Sequence, residues 1–319
     1  MLSDLITDPQ ELLALLRLDN RDKPLGLRAI EQFPLKVPRW FVSRIEPGTW
    51  HDPILRQLWP SAEEQIDAPD YVVDPLEESR FNPVPGLLHK YTSRVLLTAA
   101  PHCAVHCRYC FRRHFDYAGN APSRSDWQAA FAHIAADARI EEVLLSGGDP
   151  LALSNRQFGW LLEQLEAIPH VNTVRIHTRM TIVLPQRIDV ELAAMLAASR
   201  LKTVLVSHAN HARELSEESH AAFGLLASNG VTLFNQSVVL AGVNDSSDSL
   251  IALCKALFAQ GVLPYYLHLP DAVAGTAHFD VPIIRAQALV AEMQAQLPGY
   301  LVPRLVREEP GNDSKTRYA

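Results

Sequence analysis

The chain has 319 residues, 48% of them hydrophobic, with a formal charge of −7 and a pI near 6.0. That is ample for a large buried core, in one big domain or one domain with an extension, and the acidic balance argues against a nucleic-acid-binding surface. No apolar run reaches the roughly eighteen residues of a spanning helix, and "MLSDLITDPQELLALL" lacks the basic and apolar regions of a secretion signal.

Residues 1 to about 90 are rich in proline and charge. "DPQELLALLRL" and "LRAIEQFPL" carry apolar residues three and four apart, which predicts short helices. "DAPDYVVDPLEESRFNPVPGLLHKY" reads as extended or turn, because each proline removes a donor and biases its predecessor away from helix.

From about residue 94 the pattern becomes rhythmic. "RVLLTAA", "EEVLLSGG", "NTVRIHT", "KTVLVSH", "VTLFNQSVV" and "LPYYLHL" are short apolar, β-rich runs. Segments with helical periodicity lie between them, such as "SDWQAAFAHIAADAR", "NRQFGWLLEQLEAI" and "SDSLIALCKALFAQG". Strand–helix alternation with apolar strands predicts a parallel sheet covered by helices. A partial (β/α)6 TIM-like barrel with an N-terminal helical extension fits this best; a doubly wound sheet is the alternative. Polar groups at successive strand ends favour the barrel, whose active site is built there. They include Cys103, Ser146 to Pro150, His177 and Arg179, Ser207 and His208, Asn235 and Gln236, and His268 with Asp271.

Three of the four cysteines, Cys103, Cys107 and Cys110, form C-x3-C-x2-C. Such cysteine usage points to a reducing cytosol and metal chemistry rather than disulfides. A structural zinc site usually shows paired C-x2-C steps and four protein ligands. Here one such step exists, and His102, His106 or His114 would have to complete the set. A four-cysteine electron-transfer cluster would need Cys254, which lies on an apolar helical pattern and reads as a core thiol. The better explanation is a cluster held at three corners, with one iron open to a small molecule.

With Tyr109 before the last cysteine, and the loop placed after the first barrel strand, this motif resembles the radical S-adenosylmethionine (SAM) family. The resemblance implies a [4Fe–4S] cluster whose open iron is chelated by SAM, and a need for an electron donor. "SGGDP" resembles the family's glycine-containing SAM segment, which assigns Ser146, Gly147, Gly148 and Asp149 to SAM together with Tyr109 and Gln236.

More of the chain, from "VPGLLHKY" through "FNQSVVLAGVND" and "PYYLHLPD" to "EEPGNDSK", resembles lysine 2,3-aminomutase in the same order over roughly residues 70 to 315. The likeness is strongest to the shorter bacterial branch that makes (R)-β-lysine for modification of elongation factor P, so the implied substrate is L-lysine. That family carries pyridoxal phosphate (PLP) on a lysine, which suits nitrogen migration between adjacent carbons. Of six lysines, Lys23 and Lys36 are N-terminal and Lys255 is helical; Lys90 and Lys202 are expected at the wrong end of the barrel. Lys315 follows "YLVPRLVREE", a seventh extended segment, and matches the family's PLP lysine. Tyr91 and Arg94 match its phosphate contacts. Arg112 matches the grip on the substrate carboxylate, while Arg113 reads as structural. Asp271 and Glu308 match the pair that receives the distal ammonium, Glu308 replacing an aspartate. His177, Arg179 and Asn235 are further candidates for SAM or PLP, and His278 matches the family without a derivable role.

The expected division is a helical and extended region at 1–90, a radical SAM barrel at 91–300 and a PLP-lysine segment at 301–319. The classical enzymes' zinc-binding extension is not expected here, so no zinc is predicted and a homo-oligomer would use another surface. The expected setting is cytoplasmic, with neither nucleic acid nor membrane as partner.

Overall fold

The structure, a computed structural model, describes residues 4–116 and 122–319. Residues 1–3 of the first expected region lie outside the described ones. The N-terminal region holds a small antiparallel pair, β1 (Leu5–Ile6) and β2 (Val37–Pro38), and four short helices. These are α1 (Pro9–Leu16), α2 (Leu27–Gln32), α3 (Arg39–Val42) and α4 (Pro53–Arg56). Asp8 caps α1 and Asp52 caps α4, each with a proline at the start of the helix where its missing N–H does no harm.

The main sheet follows. Its strands are β3 (Leu87–Tyr91), β4 (Arg94–Ala100), β5 (Glu142–Gly147), β6 (Thr173–Thr178), β7 (Lys202–His208), β8 (Thr232–Val238), β9 (Leu263–His268), β10 (Arg304–Arg307) and β11 (Thr316–Arg317). The helices between them are α5 (Arg124–Ala136), α6 (Asn155–Glu166), α7 (Met180–Val183), α8 (Val190–Ala198), α9 (Glu217–Ser228), α10 (Ser247–Ala259) and α11 (Ile283–Gln294). Serine capping boxes start α5, α6 and α9, at Ser123, Ser154 and Ser216.

The order is β11-β10-β9-β8-β7-β6-β5-β4-β3, with β4 through β10 parallel and both edge strands antiparallel. Each parallel strand is laid beside its predecessor, so the order never reverses. A doubly wound sheet requires a reversal at its switch point, and none is present among the described residues. The sheet is an open, partial barrel. The six expected parallel strands are joined by a seventh, β10, from the extended "LVPRLVREE" segment.

Two expectations need correcting. The strands are not apolar throughout: β5 and β6 alternate, with Val143, Leu145, Val174 and Ile176 fully buried beneath the helices. Between them Glu142, Arg175 and His177 face a cavity on the concave side. Lys90, assigned to the wrong end, also lines that cavity. β3 pairs back along β4 with Tyr91 opposite Arg94, and this hairpin carries Lys90 inward.

The N-terminal region shares one apolar core with the barrel: Leu12, Phe41 and Leu58 belong to the same cluster as Leu97, Leu145 and Leu151. A second cluster joins β9, α10, α11 and β10, and contains Cys254 beside Leu289 and Leu305. Burial pushes the Cys254 thiol up to about 12, as suits a core thiol. No helix of the described residues is long and apolar enough to cross a membrane.

Candidate active site

The concave face encloses a cavity of about 640 Å³. Tyr91 and Arg94 line it from β3 and β4, Ser146 and Gln236 from β5 and β8, and Arg112 from the cysteine loop. Asp271, Glu308 and Lys315 line it from the β9–β11 side. Residues distant in sequence therefore share one chamber because the strand order brings them round.

The last of these is held by a hairpin. Gly311 takes a positive φ of 79°, the chain reverses, and β11 pairs with β10 through Val306 opposite Arg317. Glu309 ties the turn together, accepting from Asn312 Nδ2 at 2.8 Å and Tyr318 Oη at 2.9 Å, and from the Thr316 hydroxyl. Lys315 thus points inward, with its Nζ 2.6 Å from Glu308 Oε2. The other Glu308 oxygen accepts from Lys90 Nζ at 2.6 Å and Tyr91 Oη at 2.5 Å. These contacts bridge the β3 side of the open sheet to its β10 side, so side chains close what no strand ladder closes. Burial alone would raise the Glu308 pKa, but Lys315, Lys90 and Tyr91 hold the carboxyl down at about 2. Asp271 is the reverse case. Its carboxylate accepts no hydrogen bond among the described residues, and burial pushes it up to about 6 despite Lys315 and Arg307.

Arg112 lies across the chamber. Its guanidinium grips Glu78 through Nε at 2.9 Å and Nη2 at 2.6 Å, and reaches Ser146 Oγ from Nη1 at 3.2 Å. The fork that sequence reasoning aimed at a substrate carboxylate already holds a carboxylate. Arg94 lies over the Tyr91 ring, 3.9 Å from its centre.

The cysteine loop rests on a buried charge network. Glu64, from the N-terminal region, accepts from Arg108 Nη2 at 2.6 Å and Arg113 Nη2 at 2.5 Å, and all three side chains are 0–1% exposed. Burial and the neighbouring charges raise the Cys103 thiol pKa, and burial with Cys107 takes Cys110 to about 11. Thiols that oppose one another's ionisation are suited to a cationic iron centre, which reverses that preference. Among the described residues no three His, Cys, Asp or Glu side chains gather tightly enough for a single ion; a cluster held at three corners spreads its thiolates wider.

The "SGGDP" glycines make close backbone approaches to the neighbouring strand and the cysteine loop. A Cβ on Gly147, at φ +103°, would lie 2.6 Å from Thr98 Cγ2, and one on Gly148 would strike the His102 backbone. They let β5 end flush against the cysteine loop. Asp149 accepts from Thr178 Oγ1 and the Arg179 N–H at 2.7 Å each, and from the Leu151 N–H at 3.0 Å. None of Gly147, Gly148, Asp149 or Tyr109 lines the cavity. Asn235, also a candidate, is spent on both polar groups of the Ala209 backbone. His278 likewise lies away from the chamber, its ring tilted against that of Phe279 with centres 4.1 Å apart.

Three histidines named only as strand-end groups or loose candidates, and Lys90, Glu78 and Glu309, which were not candidates, gain a definite place in the structure. His177, His208 and His268 all line the cavity, and each Nε2 lacks a partner among the described residues. Burial keeps all three pKa values low, His208 at about 3, so they are neutral hydrogen-bonding groups. Lys90 had a readable signal: "LLHKY" and "RVLL" are β-rich runs two residues apart, the mark of a hairpin. Glu78 and Glu309 had none, since each matters through a contact that only the fold creates.

The residues present fit the three expected groups: three clustered thiols for iron, a cavity with unpaired buried imidazoles for SAM, and an inward lysine near Arg94 and Tyr91 for PLP. Comparison with known proteins agrees. The radical SAM superfamily model matches residues 97–253. The chain is 48% identical over 316 residues to the L-lysine 2,3-aminomutase of Escherichia coli K12, covering 99% of this chain and 92% of that one. It is 46% identical to that of Haemophilus influenzae, covering 100% and 94%. Against that of Clostridium subterminale it is 36% identical, covering 96% of this chain and 74% of the other. Among solved structures, a radical SAM methyltransferase from Sphaerobacter thermophilus aligns with a TM-score of 0.49 at 17% identity, covering 69% of this chain and 68% of that one. On the near-full-length identities, this chain belongs to the L-lysine 2,3-aminomutase family within the radical SAM superfamily.

Proposed function

We propose that the protein isomerises L-lysine to β-lysine by moving the amino group from carbon 2 to carbon 3. The observation that carries this is one chamber holding Lys315, Arg112, Asp271 and Glu308 together. A diamino acid needs those features: an amine to hold PLP, a fork for the carboxylate and acid groups for the distal ammonium. When bound, the [4Fe–4S] cluster and SAM supply an adenosyl radical that removes hydrogen from an unactivated carbon, and PLP supplies the imine across which nitrogen migrates.

The protein's own residues do the positioning. Arg112 takes the α-carboxylate, exchanging Glu78 for it. Asp271 meets the ε-ammonium, and a carboxylate without other partners gains most from that pairing. Glu308 shows the affinity of this corner for ammonium, since it holds two, Lys90 and Lys315. Once Lys315 carries PLP, one Glu308 oxygen becomes available to the substrate. Arg94 and Tyr91 are assigned to the PLP phosphate, and Ser146 and Gln236 to SAM. Gly147, Gly148, Asp149 and Tyr109 support SAM by shaping the loop that carries Cys103, Cys107 and Cys110. A glutamate substrate would need a cation where Asp271 stands.

The physiological role we infer is supply of β-lysine for elongation factor P, in the cytoplasm and with a separate electron donor. The 1–90, 91–300 and 301–319 division is proposed with it, as clamp, radical barrel and PLP segment. The test is anaerobic turnover with SAM and reductant, offering free L-lysine or lysylated elongation factor P. Release of β-lysine from the free amino acid is expected; reaction of the lysylated factor alone would overturn the substrate assignment.

A further inference from the structure

Arg179 is a buried cation, 5% exposed, that does not line the substrate chamber. Its place at a strand end fits a contact to SAM or PLP. Its Nη1 instead donates to Cys107 Sγ at 2.7 Å. Nη2 donates to Gln57 Oε1 at 2.8 Å and Glu214 Oε2 at 2.7 Å. Nε has no partner among the described residues. The guanidinium lies 5.6 Å from the centre of the Tyr109 ring and 5.9 Å from that of Phe41.

Those anchors are themselves fixed. Gln57 follows α4, and its carbonyl accepts from the Arg108 N–H at 2.8 Å within the cysteine loop. Its amide also binds Glu214 Oε1 at 3.1 Å. Glu214, 0% exposed, accepts from the backbone N–H groups of Asn210 and His211 at 2.9 Å each. The Arg179 N–H is held by Asp149. A cation this constrained has one direction left to act in, toward the sulfur. Hydrogen bonds and charge at cluster sulfurs set the reduction potential of iron–sulfur centres.

We propose that Arg179 sets the reduction potential of the [4Fe–4S] cluster through its hydrogen bond to the Cys107 thiolate, with Gln57 as the positioning residue and Glu214 as the counter-charge. This rests on the family reading of the cysteine loop. A cation donating to a ligating sulfur favours the reduced cluster, which carries one more negative charge. Glu214 opposes this by neutralising part of the guanidinium's field. The two residues therefore act with opposite sign.

The experiment is a potentiometric titration of the anaerobically reconstituted full-length protein without SAM, following the reduced cluster by electron paramagnetic resonance. In Arg179→Gln the equilibrium for reduction should fall at least tenfold, ~59 mV for a one-electron couple. In Glu214→Gln it should shift the other way, and Arg179→Lys, which keeps the charge but loses the fork, should fall between wild type and Arg179→Gln. If Arg179→Gln does not retain the cluster, Glu214→Gln and Arg179→Lys decide. Unchanged midpoints, or shifts of the same sign in Arg179→Gln and Glu214→Gln at full iron content, overturn the proposal. A wild-type protein with no cluster signal would overturn the loop reading and this proposal with it.

Discussion

The cysteine loop is fastened by charges that water does not reach: Glu64 sits between Arg108 and Arg113, and Arg179 between Cys107, Gln57 and Glu214. The Lys315 hairpin is fastened by groups nearer the surface. Residues 310–314 are exposed, the Lys315 side chain is 27% exposed, and the organising carboxylate of Glu309 serves only neutral donors. The difference matches the two tasks. A cluster that accepts an electron works best with surroundings that need not reorganise. A lysine that would hold PLP, as proposed for Lys315, would have to come free of Glu308 to do so. The loop is therefore built for rigidity, and the hairpin for release.

The largest effects should separate the two regions. Cys107→Ala is expected to lose cluster absorbance and reduce turnover to background while PLP stays bound. Lys315→Ala should lose bound PLP and turnover while keeping the brown cluster; anaerobic spectra of both variants check this. Next comes stability. Glu64→Gln leaves two buried guanidinium groups without their shared anion, which is expected to cost about 3–5 kcal/mol in denaturant unfolding. Glu309→Ala removes only neutral hydrogen bonds near the surface and should cost about 1 kcal/mol. Equal losses in the two would contradict the contrast.

A subtler effect concerns pH. The Asp271 pKa is raised to about 6, so lysine binding should weaken as pH falls through that value and the carboxylate is neutralised. In the free protein the sign is opposite. A raised carboxylate favours folding below its ordinary range near 3.8 and loses that contribution as pH rises through about 6. Asp271→Asn should therefore raise the KM for lysine while slightly stabilising the free protein at pH 7. Glu308, held at about 2, stabilises above its ordinary 4.5 and loses that only as pH falls toward 2. Binding that is flat between pH 5 and 7 would remove Asp271 from the ammonium site.

Much of the loop was readable because its information is local. Cys103, Cys107 and Cys110 stand within eight residues, and β4 to β9 announce themselves by apolar runs. Arg112 could be placed by its nearness to Cys110, though not its hold on Glu78. The hairpin was less legible. Lys315 is singled out by resemblance and by having few rivals, and nothing local shows that β11 folds it back onto Glu308. Lys90 departs from its expected end because the segment preceding β4 forms β3 and reverses alongside it, a pairing that its position before the strand does not show. Arg179 was read as a ligand contact because its place at a strand end is visible, whereas its donation to Cys107 depends on packing across 72 residues of sequence.

The most direct measurement is borohydride reduction of the PLP-loaded holoenzyme, followed by peptide mapping of the labelled lysine. The label is expected on Lys315 alone, and in Cys107→Ala as well as wild type, since the hairpin is held independently of the cluster. Label on Lys90, which shares the Glu308 carboxylate, or its loss in Cys107→Ala, would contradict the account.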